Sequence, residues 1–467
     1  MHHFPMPARA MRRLPLLVAS AFFMQMLDAT ILNTAIPGIA ASFEAGPLEL
    51  HALVISYTLT VCMLIPMSGW AADRWGARRT MMAAILLFTL GSLLCALSTS
   101  IAMMTACRVL QGAGGAFLPT VGRLVILKAY PRNMFVKVFS FVTIPGLTGP
   151  LLGPALGGFL VQYASWHWIF LINIPVGAAA FLAARRLMPD MRSGRRPRFD
   201  WRGCLLFSFS LLLLTLSMEG TSPLNAGRAG VLTGAAGLAL QAAYWLKAHR
   251  TANPLFSPAL FRIRNFSIGL AGNIVCRLGG SCAPYLIPLY FQLVLGFSAF
   301  KSGLSLIPMA LCNLSAKTWV SRFLRRFGYR KILTVNTLVI AAALASFSEL
   351  SPGCSEWLLL LLLCLLGTAN SIQFTCMNTL TLIDLPDSYA SGGNSLLSVV
   401  MQLSVALSIA FASLALDISG GRGNNAPAAL QHAFQTTFIT IGCVCALSAL
   451  VFARVDRRKG RAPQADR

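Results

Sequence analysis

A single carboxylate lies inside the first long apolar run of the sequence, in the segment Leu27-Asp28-Ala29-Thr30-Ile31. A charged side chain at the centre of a membrane helix costs about 2.5 to 3.5 kcal/mol on insertion scales, so a carboxylate there is a functional candidate by default. Buried in this way, Asp28 could exchange a proton for a substrate cation. The alternative is an aspartate that only hydrogen-bonds to a neighbouring helix and holds the packing together.

The fourth apolar run contains a buried basic candidate, in Arg108-Val109-Leu110-Gln111-Gly112-Ala113-Gly114-Gly115. Helical spacing places four of these residues on one face: Arg108, Gln111, Gly112 and Gly115. The glycines allow another helix to approach closely, whereas a guanidinium stays charged and needs acceptors. We therefore expect Arg108 to modulate proton exchange at Asp28, with a buried structural cation as the alternative.

The fifth apolar run repeats a Gly-Pro pair, as Gly149-Pro150 and Gly153-Pro154, and continues with Gly157 and Gly158. Each proline removes a backbone donor and bends the helix. The four glycines form a flat face on which another helix can pack tightly. We predict a helix that deforms or rocks against its neighbour. Such movement is needed if a site is to open to the two sides of a membrane in turn.

Composition excludes a soluble protein. The 467 residues are 56% hydrophobic and only 11% charged, whereas soluble proteins carry about 25% charged residues. The net charge of +24 comes mainly from connectors and tails on one side of the apolar runs. This positive-inside pattern makes membrane lipids, and not nucleic acid, the expected partner. Most of the twelve cysteines lie in apolar runs and the histidines lack metal-site spacing, so we expect no disulfide framework, metal or cofactor.

Fourteen runs are long enough to cross a membrane, which takes about 20 apolar residues. They are 14–40, 49–72, 80–99, 101–127, 136–161, 168–188, 203–219, 229–247, 266–294, 302–321, 332–349, 355–380, 392–417 and 434–454. With this number, every strongly basic connector and both termini are cytoplasmic. We predict an all-α polytopic membrane protein in four parts: an N-terminal six-helix bundle (1–188), a basic linker with two inserted helices (189–264), a C-terminal six-helix bundle (265–455) and a basic cytoplasmic tail (456–467).

The loop between the second and third runs has an altered copy in the second half of the chain. The first copy is Gly69-Trp70-Ala71-Ala72-Asp73-Arg74-Trp75-Gly76-Ala77-Arg78-Arg79, and the second ends in Gly328-Tyr329-Arg330-Lys331, with Arg325 at the position of the acid. The copy supports two related bundles. Because short cytoplasmic loops collect Lys and Arg, both loops mark the cytoplasmic side.

Polar side chains on otherwise apolar helices usually face a cavity or a partner helix. Besides the residues above, we consider nine cavity candidates: Gln25, Asn33, Gln111, Asn273, Arg277, Asn370, Gln373, Asn394 and Gln402. Interhelical hydrogen bonding is an equally good interpretation for the polar stripes of the second half. We expect Lys317, near the cytoplasmic end of its run, to extend its ammonium group towards the headgroups.

Together these motifs resemble the fourteen-span drug:proton antiporters of the major facilitator superfamily. The similarity rests on Leu27 to Ile31, on the double Gly-Pro pair, and on Trp168-Ile169-Phe170-Leu171-Ile172-Asn173-Ile174-Pro175. The resemblance implies that Arg108 takes part in proton transfer. It also implies that the protein is an antiporter rather than a symporter, because the Gly-Pro helix is typical of antiporters. It also implies that the loop around Asp73 locks the cytoplasmic side of one state, through Gly69, Asp73, Arg74, Gly76 and Arg78.

The expected activity is export of amphipathic small molecules or drugs across the bacterial inner membrane, driven by protons, by a monomer that works by alternating access. One alternative is an exporter of a specific endogenous metabolite, and a less favoured one is a transporter-like sensor without turnover. We expect no enzyme, because the sequence shows no nucleotide-binding loop, nucleophile elbow or metal cluster.

Overall fold

The computed structural model describes residues 8–44, 51–189, 199–218, 228–297, 299–351, 353–420 and 427–455. Within these ranges the chain forms seventeen α-helices and no β-strand. The predicted all-α fold class is therefore confirmed. The predicted cytoplasmic tail, 456–467, and most of the basic linker, 190–198, lie outside the described residues.

The chain divides into two compact units, and the first comprises Met1–Leu214, Ala235–Pro258 and Pro386–Val399. Unit 1 holds the following helices wholly or in large part: α1 (Ala8–Ser42), α2 (His51–Leu64), α3 (Ser68–Trp75), α4 (Ala77–Ala96), α5 (Ile101–Ala129), α6 (Arg132–Tyr163), α7 (His167–Leu171), α8 (Asn173–Leu187), α9 (Trp201–Met218) and α10 (Arg228–Arg250). It also holds the first part of α16 (Asp387–Ile418).

The second unit comprises Thr215–Gly234, Ala259–Leu385 and Val400–Arg467. Its helices are α11 (Arg264–Gly280), α12 (Ala283–Leu293), α13 (Ala299–Ser305), α14 (Ile307–Ser346), α15 (Glu356–Ile383) and α17 (Pro427–Phe452), with the rest of α16. The predicted division at residues 188, 264 and 455 follows the sequence order of the spans and stays a prediction.

Eight helical segments in the described ranges are long and apolar enough to cross a membrane. They are Arg13–Leu32, Ala77–Ala96, Ile101–Ala129, His167–Leu187, Ile307–Glu349, Glu356–Ile383, Asp387–Leu416 and Ala428–Phe452. Two shorter apolar helices are Met134–Thr143 and Trp201–Ser217. Helical structure occupies all fourteen predicted segments, while the number that crosses the membrane stays a prediction.

Polar side chains fix helix ends in unit 1. Ser100 precedes α5 and accepts a hydrogen bond from the backbone nitrogen of Met103 at 3.2 Å, which is an N-cap. Asp200 precedes α9, and its Oδ1 accepts from the backbone nitrogen of Gly203 at 2.9 Å. Lys247 of α10 donates to the same oxygen. One carboxylate therefore both caps α9 and ties the two inserted helices together.

The loop around Asp73 and its altered copy in the second half share a backbone conformation. Gly76, between α3 and α4, has φ of 89°, and Gly328, inside α14, has φ of 73°. Residues with a Cβ atom rarely adopt such positive φ angles, so glycine is the favoured residue at both turns. The non-helical backbone at Gly328 divides α14 into two helical halves, which make up most of two predicted spans, 302–321 and 332–349.

Candidate functional site

Asp28 and Arg108 form a buried ion pair in unit 1. Helix α1 carries Asp28 and α5 carries Arg108, and the guanidinium Nη1 lies 2.7 Å from the carboxylate Oδ2. Each residue is only 1% exposed. Two charges are removed from water here, and their mutual attraction and the hydrogen bonds around them offset part of that cost. The sequence-predicted pair is therefore brought together between two helices that are long and apolar enough to cross a membrane.

Gln111 completes a triangle with this pair. Its Oε1 accepts from Arg108 Nη1 at 2.7 Å, and its Nε2 donates to the other oxygen of Asp28, Oδ1, at 2.8 Å. Because Arg108 and Gln111 are three residues apart, one turn of α5 presents both groups to α1. Gln111, proposed as a cavity residue, is fully buried and acts here as an interhelical hydrogen-bonding group.

Two further residues of the site come from helices that sequence reasoning did not connect to it. Asn173, at the start of α8, donates through Nδ2 to Asp28 Oδ1 at 3.3 Å and to Ser92 Oγ at 3.0 Å. Ser92, on α4, also accepts from Gln111 Nε2 at 3.2 Å. Asn173 is a polar residue within an apolar run, which was a usable signal, whereas a lone serine such as Ser92 gives none.

The Arg108 guanidinium is also enclosed by α2. Its central carbon lies 4.4 Å from the centre of the Tyr57 ring, a cation–π contact, and its Nε donates to the Leu53 carbonyl at 3.4 Å. This approach requires glycine on α5: a Cβ at Gly112 would lie 2.9 Å from the Tyr57 carbonyl oxygen, and one at Gly115 would lie 2.5 Å from its hydroxyl. The glycines on the Arg108 face therefore serve close packing, as their spacing predicted.

Apolar side chains close the site at the next turns of α1. Ile31, Leu32 and Ala35 are buried in a cluster with Cys107 of α5 and Phe170 of α7. The cluster excludes water from this side of the pair. Excluding water strengthens the electrostatic interaction between Asp28 and Arg108.

Among the described residues, the donors to Asp28 are nitrogen atoms: Oδ2 accepts from Arg108, and Oδ1 accepts from Gln111 and Asn173. An ionised carboxylate is an acceptor at both oxygens, whereas a protonated one must place its own O–H against an acceptor. Protonation of Asp28 removes the negative charge that attracts Arg108, so it favours withdrawal of these donors. The geometry can couple a proton to movement of the helices that carry the donors.

The Gly-Pro helix packs directly against the part of α1 that carries Asp28. A Cβ at Gly149 of α6 would lie 2.8 Å from the backbone nitrogen of Leu27, and one at Gly153 would collide with Thr30 Oγ1. Thr30 Oγ1 also lies 3.3 Å from the Gly149 carbonyl as a donor. Gly157 is buried as well. The side chains of Pro150 and Pro154, and the surroundings of Gly158, lie outside the described residues.

The loop around Asp73 is held by an ionic contact within unit 1. Lys128, at the end of α5, donates through Nζ to Asp73 Oδ1 at 3.0 Å and to Ser391 Oγ at 3.1 Å. Ser391, in the first turns of α16, donates to the same Asp73 oxygen at 2.7 Å. The side chains of Asp73 and Lys128 are each 20% exposed. Sequence reasoning found the acid and missed both partners.

Other loop residues divide into packing and exposed positions. A Cβ at Gly69 would lie 2.6 Å from the Ser391 carbonyl oxygen, so this glycine allows α3 to approach α16. Gly76 supplies the positive φ described above. Arg74 is exposed and Arg78 is half-buried, as expected for cationic groups at a membrane surface.

The remaining cavity candidates fall into three groups. Gln25, Asn273, Arg277, Gln373 and Asn394 are buried, whereas Asn370 and Gln402 are half-buried. Gln373 joins α15 to α14 in unit 2, since Nε2 donates to Thr337 Oγ1 at 2.8 Å and Oε1 accepts from Asn336 at 2.9 Å. Asn394 donates to the Thr120 carbonyl at 2.8 Å in unit 1. The side chain of Asn33 lies outside the described part of the chain.

Known proteins resemble this chain over almost its whole length. A protein of Pectobacterium atrosepticum named "Putative multidrug resistance protein MdtD" is 46% identical over 441 residues, which cover 94% of each chain. A protein of Cronobacter sakazakii with the same name is also 46% identical, over 94% of this chain and 93% of that one.

Solved structures show the same fold at low sequence identity. The proton:xylose symporter XylE bound to 6-bromo-6-deoxy-D-glucose aligns with a TM-score of 0.67 at 15% identity, over 95% of each chain. The human organic anion transporter MFSD10 aligns with a TM-score of 0.67 at 14% identity, over 96% of this chain and all of that one. The sequence model of the Major Facilitator Superfamily matches residues 18–409. This chain, an all-α multi-pass membrane transporter, belongs to the major facilitator superfamily.

Proposed function

We propose that this protein is a proton-driven antiporter of the bacterial inner membrane that exports amphipathic small molecules, drugs among them, by alternating access. The observation that carries the proposal is the buried Asp28–Arg108 pair, with both residues 1% exposed. The bacterial relatives, whose alignments cover 94% of this chain, are named as multidrug resistance proteins, which supports drugs as substrates. The one-sided distribution of Lys and Arg supports cytoplasmic termini.

Proton coupling in this proposal is a competition for Asp28. In the described state its oxygens are occupied by donors from α5 and α8. In a second state Arg108 withdraws and a proton takes its place on the carboxylate. Return of Arg108 expels the proton on the other side of the membrane. The helices that hold Arg108 and Asn173 therefore have to move relative to α1 in each cycle.

The Gly-Pro helix and the loop around Asp73 are the proposed moving parts. Because α6 packs against Leu27 and Thr30 through glycines, a change in α6 acts directly on the backbone beside Asp28. The Asp73–Lys128–Ser391 contact would form and break as the cytoplasmic side closes and opens. Both assignments follow from position and contacts.

Transport in reconstituted vesicles tests this function. Efflux of cationic dyes and of candidate metabolites is measured with and without an imposed pH gradient. Asp28→Asn should abolish gradient-dependent efflux while the protein still inserts, because the amide cannot release a proton. Glu356→Gln is the matched control, since this acid begins α15 with its side chain 81% exposed. Full gradient-dependent activity of Asp28→Asn would refute the coupling role.

A second candidate, an exporter of one endogenous metabolite, is favoured by the polar, cationic interior of unit 2. Arg277 is 8% exposed and Lys317 is 2% exposed, which suits a charged substrate better than a broad range of cationic dyes. The same vesicles discriminate the two functions. A single metabolite that is exported while all dyes are retained would select the second candidate.

A further inference from the structure

Two buried cations lie beside one aromatic ring in unit 2. The guanidinium carbon of Arg277, on α11, lies 5.0 Å from the centre of the Phe374 ring. The ammonium nitrogen of Lys317, on α14, lies 5.2 Å from the same centre. The two charged groups are therefore no further apart than the sum of these distances, about 10 Å. Three helices, α11, α14 and α15, converge at this point.

The burial of Lys317 differs from the sequence-based expectation. Its position in the run predicts an ammonium group that extends towards the headgroups, whereas the residue is only 2% exposed. Its Nζ lies 3.5 Å from Thr375 Oγ1, on α15. The side chain turns to α15 because Phe374 offers the face of its ring to the cation. Lys317 is therefore an interior group of unit 2.

Arg277 keeps an unused donor inside the protein. Its Nε donates to Asn273 Oδ1 at 3.0 Å, but its Nη2 is buried and has no hydrogen-bond partner among the described residues. A guanidinium stays charged, and a buried charged donor without an acceptor is costly to keep. An acceptor supplied by a ligand would remove that cost.

A neutral polar group lies one helical turn beyond the ring. The Asn378 side chain is fully buried, and neither its Oδ1 nor its Nδ2 has a hydrogen-bond partner in the part of the chain that the structure describes. Phe374 itself is half-buried. Helix α15 thus presents an apolar ring and an unsatisfied amide, four residues apart, on the face that meets Arg277 and Lys317.

The sequence of the surrounding helices gives this region a positive character. Neither α11 nor α14 contains an aspartate or a glutamate, and the one acid of α15 is Glu356, at its first residue. Arg277 therefore has a neutral asparagine on its own helix where Arg108 of unit 1 has a carboxylate. A mobile anion fits the guanidinium as Asp28 fits Arg108.

We propose that unit 2 binds an amphipathic organic anion, with its carboxylate between Arg277 and Lys317 and its apolar body against Phe374. This assignment names a substrate class for the proposed exporter and in that respect rests on the proposed function. Arg277 supplies the fixed charge and the free Nη2 donor. Lys317 supplies the second donor, and Asn378 contacts the part of the ligand that lies deeper along α15.

Equilibrium binding to the purified full-length protein in nanodiscs tests the site without any proton gradient. The probes are 2-naphthoate and its uncharged analogue 2-naphthamide, which share one aromatic body. Wild-type protein should bind naphthoate at least about tenfold more tightly than naphthamide. Equal affinities for the two probes would overturn the proposal, and so would competition by an equal concentration of chloride alone.

Variants locate the charge dependence. Arg277→Gln should weaken naphthoate binding at least about tenfold and leave naphthamide binding within about twofold, and Lys317→Gln should have a smaller effect in the same direction. Arg322→Gln, an exposed cation on α14, is the matched control and should bind both probes like the wild type. Unchanged naphthoate binding by Arg277→Gln would refute the assignment.

A further substitution neutralises the charge of Arg277 without replacing the arginine. Asn273→Asp places a carboxylate where Oδ1 already accepts from Arg277 Nε, so an internal ion pair should replace the ligand and naphthoate binding should fall by a similar factor. Asp28→Asn should lose coupled transport and keep naphthoate binding. Full coupled transport by Asp28→Asn, with charge-selective binding intact, would count against proton coupling only, whereas absence of charge-selective binding in the wild type would count against the anion site only.

Discussion

The two units each bury an arginine inside a helix, but they balance the charge differently. In unit 1 Arg108 lies 2.7 Å from Asp28, on another helix. In unit 2 Arg277 contacts the neutral Asn273 of its own helix, and one of its nitrogens has no partner among the described residues. The pairing of Arg108 with a carboxylate suits a site where that carboxylate takes up and releases a proton during a cycle. The absence of a carboxylate beside Arg277 among the described residues suits a site that binds a charged ligand. The contrast assigns the proton to unit 1 and the substrate's charge to unit 2.

The largest expected effect is on stability. Removing one partner of a buried ion pair costs about 3–5 kcal/mol, because the other charge is left uncompensated. Arg108→Gln should therefore lower the free energy of unfolding by about that amount. Arg277→Gln should cost less than about 1.5 kcal/mol, because it also removes an unsatisfied donor. Chemical unfolding in detergent measures both, and equal losses would erase the distinction between the units.

The next largest effect is expected from helix packing, which is tight at Gly153 in unit 1 and loose at Gly280 in unit 2. Gly153→Ala forces a Cβ against Thr30 on α1, and such overpacking costs about 1–3 kcal/mol. We expect slower exchange across the membrane, because α6 can no longer approach α1. Gly280→Ala is the comparison in unit 2, where the nearest atoms lie 3.9 Å away. Exchange rates measured in vesicles should fall for the first variant only. Unimpaired exchange by Gly153→Ala would show that this contact is not part of the moving machinery.

Kinetics can separate proton exchange from ligand binding. Arg108→Ala should slow exchange by about tenfold or more, equivalent to about 1.4 kcal/mol in the barrier, and change substrate affinity little. Arg277→Gln should weaken substrate binding and change the exchange rate little. Transport rates and equilibrium binding, determined on the same preparations, give both numbers. A larger effect of Arg108→Ala on binding than on exchange would favour a structural cation in unit 1.

The smallest expected effects concern ion pairs near the surface. Lys128 binds both Asp73 and Ser391 with its side chain 20% exposed, whereas Lys301 meets Glu356 at 3.3 Å with side chains 52% and 81% exposed. Exposed pairs contribute at most about 1 kcal/mol. Lys128→Gln should reduce turnover severalfold through the loop, while Lys301→Gln should match the wild type. Identical turnover for both variants would remove the loop from the gating scheme.

Much of the fold and the core of the first site could be predicted from sequence. Apolar runs report on helices that lie in a membrane, and a lone carboxylate such as Asp28 is visible against them. Arg108 and Gln111 follow from helical periodicity. The contribution of Asn173 could not be obtained this way, because which helices touch depends on tertiary packing, and a single sequence does not contain that information.

The error at Lys317 has a related cause. Distance from the end of a run predicts where the ammonium group can reach, but the choice between headgroups and interior depends on what the neighbouring helix presents. Here α15 presents Phe374 and Thr375, and that face is invisible until α14 and α15 are paired. Side-chain direction is thus the least predictable part of a helical membrane protein.

The turn at Gly328 retains the dihedral of Gly76 although Arg325 stands where its counterpart loop has Asp73. The two halves therefore share the backbone shape of this turn but not its side-chain chemistry. What persists is a joint in the polypeptide that only the smallest amino acid accommodates without strain. Any replacement at position 328 would strain the turn that joins the two helical halves of α14, so a single missing side chain governs the direction in which each half points.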